Sequence, residues 1–253
     1  MTQTLREQFV AGQKPLGTFL NQFGGAAIEI IASAGFDYLI IDAEHGLYDV
    51  NTIADLLRTA DSAGIHALVR IPEPTREWIL RALDAGAAGL VVPNIRTIDE
   101  VQTLLRYAKY PPAGERGYAP VRAARYGTAG TADAIQKEAN ANTLLFPQCE
   151  TKEALTIIDE ILQLDGIDGV FVGPYDLSSA MGIIGQFSHP DLISAIDTIR
   201  ERCEAYRKFS LIFAPDAAGA QAYYEKGYES VAVGLDYGVL LEGYTQLQKE
   251  SKA

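Results

Sequence analysis

The sequence has few cysteines and no long apolar run, and each shortage excludes a class of protein. Cys149 and Cys203 are the only cysteines among 253 residues, and they form no Cys-x-x-Cys pair. A disulfide framework or a zinc ribbon is therefore not expected. No run of about 18 apolar residues occurs, so the sequence predicts no membrane span. Residues 1–14 are polar and lack a signal-peptide core, and we expect a cytoplasmic protein.

Basic residues are in the minority. The chain has 21 Lys and Arg against 33 Asp and Glu, which gives a formal net charge of −12 at pH 7. This balance disfavours nonspecific binding to nucleic acid or to an anionic membrane, and neither partner is expected. The length and the 48% apolar content are typical of a globular protein with a sizeable core.

Strand and helix signals alternate along the chain. Helical segments such as 97–108 and 152–162 separate eight short apolar runs with the character of buried strands, at 16–20, 38–42, 66–70, 89–93, 143–148, 169–172, 210–214 and 230–234. Thr97 and Glu100 fit a capping box. Eight such units predict an α/β fold, a (β/α)8 TIM barrel, as one domain over residues 1–253. An open doubly wound sheet has the same alternation and is the alternative.

One long loop excursion, at about residues 110–142, interrupts this alternation. It contains Pro111-Pro112, several glycines, three arginines and a possible short helix at 132–139. A loop of this length in a compact domain is usually functional or disordered. Arg116, Arg122 and Arg125 either select an acidic substrate or face solvent or another subunit, and the sequence leaves both possibilities open.

Polar side chains follow the predicted strands where each strand ends. In parallel α/β sheets, ligands collect outside the carboxyl ends of the strands. The candidates for a shared site are Asp42, Glu44 and His45 after the second strand, Arg70 at the end of the third, Gln148 and Glu150 after the fifth, and Asp176 after the sixth.

Glu150 and Asp176 follow neighbouring strands and are candidate metal ligands. Neighbouring strands lie about 5 Å apart, so the two carboxylates can share one ligand. Two carboxylates held together repel each other, and a divalent cation removes that repulsion. Mg²⁺ is typically held by one or two carboxylates, with water and substrate oxygens as further ligands. In the alternative interpretation, Glu150 begins a helix and Asp176 is an N-cap.

Arg70 and His45 are the other candidates for chemistry. A guanidinium at the barrel mouth can bind a carboxylate or a developing enolate oxygen. A histidine among acids can act as a general acid or base near neutral pH. Both side chains could instead form structural contacts with Asp42 or Glu44. No lysine ends a central strand, so carbonyl chemistry would use a metal more readily than a Schiff base.

Several motifs together resemble one family. They are Ala34-Gly35-Phe36-Asp37, Ile41-Asp42-Ala43-Glu44-His45, Tyr110-Pro111-Pro112-Ala113-Gly114 with Arg116-Gly117, Glu150-Thr151-Lys152-Glu153-Ala154, and the long run from Asp168 to Ser178. The chain is similar to the HpcH/HpaI family of metal-dependent 2-oxo acid aldolases over almost its whole length. The resemblance implies a (β/α)8 barrel with an exchanged C-terminal helix, in a homohexamer built as a trimer of dimers.

The resemblance also implies a role for each candidate residue. Glu150 and Asp176 would hold a divalent cation, Mg²⁺ or Mn²⁺ with Co²⁺ as a possibility. Arg70 would hold the pyruvate enolate, with Gln148 and the Gly173-Pro174 backbone beside the substrate. His45 would assist proton transfer, aided by Asp84 of a neighbouring subunit. Asp84 falls late in a predicted helix, away from its own barrel mouth, which is consistent with action in trans. The implied reaction is reversible aldol cleavage of a 4-hydroxy-2-oxo acid to pyruvate and an aldehyde.

Tyr175 is a departure from this pattern. Typical aldolases of the family have a small residue there, and a tyrosine beside a metal ligand would narrow or redirect the pocket. Relatives that act on oxaloacetate use the same enolate differently, as decarboxylases or as synthases that resemble citrate synthase or macrophomate synthase. The alternative function is therefore oxaloacetate decarboxylation or condensation. A catalytically silent barrel is a third hypothesis, which a failure to bind divalent metal would support.

Overall fold

A closed barrel forms the centre of the computed structural model, which describes residues 3–252. All strand pairs are parallel and follow chain order, and β1 pairs with β8 to complete the ring. This closure confirms the predicted (β/α)8 barrel and excludes the open doubly wound sheet. The strands are β1 (Leu16–Leu20), β2 (Tyr38–Asp42), β3 (His66–Arg70), β4 (Gly89–Val92), β5 (Leu144–Cys149), β6 (Gly169–Val172), β7 (Phe209–Ala214) and β8 (Ser230–Leu235).

Helices surround the barrel, and most begin at a side-chain cap. Thr97 and Glu100 form both halves of the predicted capping box, and Asp49, Thr75, Thr131 and Asp216 accept from the amide three residues on. The helices of the described residues are α1 (Leu5–Val10), α2 (Gly25–Ser33), α3 (Val50–Ala63), α4 (Arg76–Asp84), α5 (Ile98–Ala108), α6 (Ala132–Asn142), α7 (Lys152–Thr156), α8 (Ile158–Gln163), α9 (Pro174–Ala180), α10 (Pro190–Tyr206), α11 (Ala217–Glu225) and α12 (Asp236–Glu250).

The helices differ from the sequence predictions in four places. The helix predicted over 152–162 is two helices, α7 and α8, because Ile157 leaves helical geometry with φ −99° and ψ 15°. Helices α1 and α9 were not predicted. The short helix predicted at 132–139 is present as α6, which extends to Asn142, and the excursion also contains an unpredicted 3-10 helix, Arg122–Gly127.

Helix α1 closes the amino-terminal end of the barrel. Leu5 and Phe9 are almost fully buried, and the Phe9 ring centroid lies 4.8 Å from that of Phe209 and 5.9 Å from that of Phe146. Arg6 adds an ion pair with the buried carboxylate of Asp168. Burying one phenylalanine contributes about 1.5–3 kcal/mol. Apolar packing and one charge pair therefore seal this end.

The opposite, carboxyl-terminal end is where the polar strand ends meet. Asp42 of β2 stands directly beside Arg70 of β3 in the strand register. Cys149 of β5 stands beside Val172 of β6, so the next residues, Glu150 and Gly173, leave the barrel as neighbours. The register therefore brings most of the predicted site residues to one mouth.

Helix α12 packs little against its own barrel. The structure describes all of α12 and buries none of its residues, while Val239, Leu241 and Tyr244 are more than 60% exposed. Exchange of this helix between subunits stays a prediction. No helix within residues 3–252 has both the length and the apolar character needed to cross a membrane.

Candidate active site

Arg70 is fixed in the mouth by two carboxylates. Its Nε and Nη2 donate to the two carboxylate oxygens of Asp42, each at 2.7 Å, and its Nη1 lies 3.2 Å from a Glu44 oxygen. The guanidinium also lies over the Phe19 ring, 5.0 Å from its centroid. A guanidinium has five N–H groups, so one on each terminal nitrogen stays available for a ligand. The pairing with Asp42 and Glu44 therefore orients Arg70 without using all of its donors.

Asn21 is a site residue that the sequence analysis missed. It directly follows β1, is only 4% exposed, and its Nδ2 donates to Asp42. Its Oδ1 is buried and has no hydrogen-bond partner within the described residues. The signal that located the other candidates, a polar residue directly after an apolar strand, applies equally to Asn21.

His45 stands at the rim with its ring free. The side chain is 65% exposed, and Nε2 lies 3.9 Å from a Glu44 oxygen. Gly46 allows the loop after His45 to approach the end of β2 closely, because a Cβ there would lie 2.1 Å from the Asp42 carbonyl oxygen. His45 lines a cavity of about 280 Å³ together with Asn21, Gln22 and Tyr237. The imidazole is therefore accessible to a ligand at the mouth.

Glu150 lies on the other side of the mouth, and its acceptors are only partly used. The backbone N–H of Asn94 donates to Oε1 at 2.7 Å, and Gln148 Nε2 donates to Oε2 at 2.5 Å. Asn94 adopts left-handed backbone geometry, φ 56°, which asparagine tolerates better than most residues. Gln148 is 1% exposed, and its Oε1 has no partner in the described structure. A buried, free amide oxygen therefore accompanies the carboxylate.

Gly173, Pro174, Tyr175 and Asp176 start helix α9 beside Glu150. A Cβ on Gly173 would lie 2.6 Å from Glu150 Oε2, so only glycine allows this approach. Gly173 is the N-cap and Pro174 the first helical residue, which places Asp176 in the first turn rather than at the N-cap. Tyr175 is 55% exposed, and its ring centroid lies 6.1 Å from that of Phe187. The tyrosine therefore stands at the rim of the mouth.

The mouth carries an excess of negative charge. Burial, with smaller contributions from the charges of Asp176 and Glu44, raises the pKa of Glu150 to about 7 against the opposing Asn94 hydrogen bond and Arg70 charge. Burial also raises the pKa of Glu44, with smaller contributions from Asp42 and Asp176. The Arg70 charge opposes both shifts, and the His45 charge adds to its effect on Glu44. An added cation would therefore stabilise their ionised forms.

The donors at this mouth fit a hard divalent cation. Glu150 and Asp176 offer carboxylate oxygens, and Gln148 offers an unpaired amide oxygen, which are ligands of the type that Mg²⁺ prefers. Among residues 3–252, no three His, Cys, Asp or Glu side chains are placed to hold a metal by themselves. Water and substrate would complete the coordination, as is usual for Mg²⁺.

Comparison with known proteins decides the family. Residues 16–242 match the profile of HpcH/HpaI aldolase/citrate lyase. This chain belongs to that family. The resemblance noted in the sequence is confirmed, and the match spans every strand of the barrel.

Three relatives of this HpcH/HpaI protein are named for different reactions. It is 36% identical to a hydroxypyruvate/pyruvate aldolase from Roseobacter denitrificans, over 94% of this chain and 93% of the relative. It is 36% identical to a 5-keto-4-deoxy-D-glucarate aldolase from Escherichia coli, over 90% and 89%. It is similar to a solved citrate synthase structure, with a TM-score of 0.90, 26% identity and coverage of 98% and 97%. The family is therefore shown, and the reaction within it is not fixed by likeness.

The structure brings all the predicted site residues of this HpcH/HpaI chain to the mouth except Asp84. Asp84 ends α4, near the closed end, and accepts from Arg116 Nη2 at 2.8 Å. Arg116 lies 4.6 Å from the centroid of the Tyr110 ring and lines a second cavity, of about 710 Å³, with Arg122 and Arg125. The action of Asp84 in trans stays a prediction.

The other two histidines of the chain and Cys149 lie in structural surroundings. His66 Nε2 lies 3.1 Å from the Gln3 carbonyl oxygen, and His189 caps α10. Cys149 is fully buried, and burial raises the pKa of its thiol, which makes it a poor nucleophile. These contacts support the structural interpretation of all three residues.

Proposed function

We propose that this protein is a class II, divalent-metal-dependent aldolase, a carbon–carbon lyase. It cleaves a 4-hydroxy-2-oxo acid reversibly to pyruvate, or a close analogue, and an aldehyde. The observation that carries the proposal is the arrangement of the mouth. Oxygens suited to a metal ion, from Glu150, Asp176 and the unpaired Gln148 amide, line one side, and the Arg70 guanidinium lies on the other.

The residues of the mouth have separate roles in this reaction. A divalent cation at Glu150 and Asp176, Mg²⁺ or Mn²⁺ with Co²⁺ as a possibility, would supply Lewis-acid polarisation of the 2-oxo acid. Arg70 binds the oxygen that becomes negative when the donor loses a methyl proton. Asp42 holds the guanidinium in place before the reaction, so the charge is stabilised without rearrangement of the side chain. Gln148 and the Gly173-Pro174 backbone line the donor pocket, and Tyr175 lies at its entrance.

Proton transfer is assigned to His45. The ring is accessible at the rim, and its Nε2 lies 3.9 Å from a Glu44 oxygen. Asp84 of a neighbouring subunit would orient the ring in a homohexamer, the assembly that the resemblance implies. A cytoplasmic location also stays part of the proposal.

A second function is supported by one comparison and one residue. The likeness to a citrate synthase and the exposed Tyr175 at the mouth favour a reaction in which the same enolate reacts with a different second substrate. That function would be oxaloacetate decarboxylation or condensation of the enolate with an acceptor other than a simple aldehyde.

Release of pyruvate distinguishes these functions. Protein stripped with EDTA is assayed with oxaloacetate and with a panel of 4-hydroxy-2-oxo acids, before and after addition of Mg²⁺, Mn²⁺ or Co²⁺. We expect release from at least one hydroxy acid, restored by metal and absent in EDTA.

Two other results would change the proposal. Metal-dependent release from oxaloacetate alone would move the function to the decarboxylase or synthase. An absence of turnover with every substrate at saturating metal would contradict both functions and favour a silent barrel. Calorimetric titration of the metal distinguishes that case from a failure to load the site.

A further inference from the structure

The direction of the Asn21 carboxamide is set by Asp42. Asp42 is fully buried, and both of its carboxylate oxygens accept hydrogen bonds from the Arg70 guanidinium. Asn21 must therefore present its NH₂ group to Asp42, as it does. A flipped amide would place Oδ1 against a carboxylate oxygen. The free end of the side chain is thus the oxygen, an acceptor and not a donor.

That oxygen is buried without a partner. Asn21 is 4% exposed, and its Oδ1 forms no hydrogen bond within residues 3–252. A buried acceptor without a partner is unfavourable, so native proteins rarely keep one without a reason. The contact with Asp42 uses only the nitrogen. A structural role for Asn21 therefore leaves its oxygen unexplained.

Asn21 belongs to the wall of the mouth on the side away from Glu150. It lines the cavity of about 280 Å³ that His45 and Tyr237 also line. Asp236 fixes this wall, because its carboxylate accepts from the backbone amides of Gln22 and Phe23 at 2.9 and 3.0 Å. Asn21 thus lines the same cavity as the predicted proton-transfer residue, on a loop that Asp236 holds in place.

We propose that Asn21 determines substrate specificity by accepting a hydrogen bond from a substrate hydroxyl group that lies on, or next to, a carbon of the bond being made or broken. An acceptor-only group distinguishes a hydroxyl from a methyl of similar size, because only the hydroxyl donates. The inference rests on the proposed aldolase function and narrows its substrate class to hydroxylated partners. The hydroxyl can belong to the donor, as in hydroxypyruvate, or to the aldehyde, as in glycolaldehyde.

Size-matched substrates separate the two sources. Hydroxypyruvate is compared with 2-oxobutanoate as donor, and glycolaldehyde with propanal as acceptor, for the metal-loaded wild type and Asn21→Ala. The double ratio is the fold loss of kcat/KM in the variant with the hydroxylated substrate, divided by the fold loss with the alkyl substrate. The intrinsic reactivity of each substrate cancels in this ratio. We expect a double ratio of about ten in the donor or the acceptor comparison. Asn51→Ala, an exposed asparagine on α3, is the matched control and should give a ratio of one.

The outcomes are distinct. Equal losses with all four substrates would show that Asn21 acts only through Asp42 and Arg70, and would overturn the proposal. If no substrate pair reacts with the metal-loaded wild type, the aldolase function itself fails, and this inference fails with it.

Two further measurements guard against a folding defect. Asn21→Leu keeps a similar volume and should give the same double ratio if the alanine variant does not fold. If neither variant folds, the wild-type KM values decide. A KM about tenfold lower for the hydroxylated member of one pair supports the proposal, and equal KM values in both pairs contradict it.

Discussion

Near helix α1, at the closed end of the barrel, the buried Tyr38 and Asp168 side chains have partners, whereas two buried amide oxygens at the mouth have none within the described residues. Near helix α1, the Tyr38 hydroxyl meets Ser230 Oγ at 2.8 Å, and Asp168 accepts from the Leu145 amide at 2.8 Å. At the mouth, Asn21 Oδ1 and Gln148 Oε1 are unpaired. Satisfied groups stabilise the fold, while unsatisfied ones are available to a ligand. One barrel thus divides stability and chemistry between its two ends.

The largest effect is expected from Glu150→Gln at the mouth. If Glu150 is the cation ligand proposed above, kcat should fall by about 10³-fold or more, because the Lewis acid would supply several kcal/mol. The same change should stabilise the metal-free protein. The folded pKa is raised from 4.5 to about 7, so the wild type loses stability as pH rises through that interval and does not regain it above.

The gain for Glu150→Gln at pH 8 should be about 3 kcal/mol or less by urea unfolding. Glu153→Gln is the control, because Glu153 is half exposed on α7 and pairs with Arg96 at the surface. A Glu150→Gln protein that is inactive because it is destabilised would break the contrast between the two ends.

The closed end should show the reverse behaviour. Phe9→Ala removes a buried ring from the contact with Phe146 and Phe209, and should lower the free energy of unfolding by about 3–4 kcal/mol. The kcat measured well below the melting temperature should not change. Val10→Ala, on the exposed side of α1, should cost less than about 0.5 kcal/mol. A folded Phe9→Ala protein with a tenfold lower kcat would show that the ends are coupled.

Arg70→Lys tests the geometry of the mouth. Lysine keeps the charge but cannot reproduce the two 2.7 Å hydrogen bonds to Asp42, so the positively charged side-chain group should lose its fixed position. We expect kcat/KM for the 2-oxo acid to fall by about 100-fold. Arg58→Lys, in an exposed pair with Asp55, is the control and should keep wild-type activity. Near-normal kcat/KM in Arg70→Lys would mean that charge alone suffices.

The smallest effect is expected from His66→Gln at the closed end. Burial lowers the pKa of His66 below its usual 6.5. The unfolded chain therefore takes up this proton first, and stability is lost as pH falls through 6.5. Glutamine keeps an N–H donor for the Gln3 carbonyl oxygen but does not titrate. The decline in melting temperature below pH 6.5 should be shallower in the variant, and equal slopes would exclude a role for His66 in acid sensitivity.

The sequence predicted the barrel because the strands are short apolar runs with clear ends. Helix α1 was missed although Thr4 and Glu7 form a capping box, a pattern visible in the sequence. Helix α9 was missed although Pro174 occupies the favoured first helical position. Both helices are short, so their periodicity is weak, and capping chemistry was the better signal.

The positions of the candidate side chains were predictable where a side chain follows a strand. They were less predictable where the contact is made by a backbone group. Arg70, Glu150 and His45 follow from that rule. The hydrogen bond from the Asn94 amide to Glu150 depends on a positive φ that no pattern in the sequence reveals. The partners of Arg116 also depend on tertiary contacts, because Asp84 lies 32 residues away.

The seal at the closed end also constrains the order of biosynthesis. Arg6 and Asp168 are separated by 162 residues, and Phe9 packs on a strand that is made later still. At about 5–20 residues per second, helix α1 leaves the ribosome on the order of ten seconds before its partners exist. Helix α1 is therefore among the last elements to gain its native contacts although it is made before its partners, and its apolar face stays uncovered during that interval.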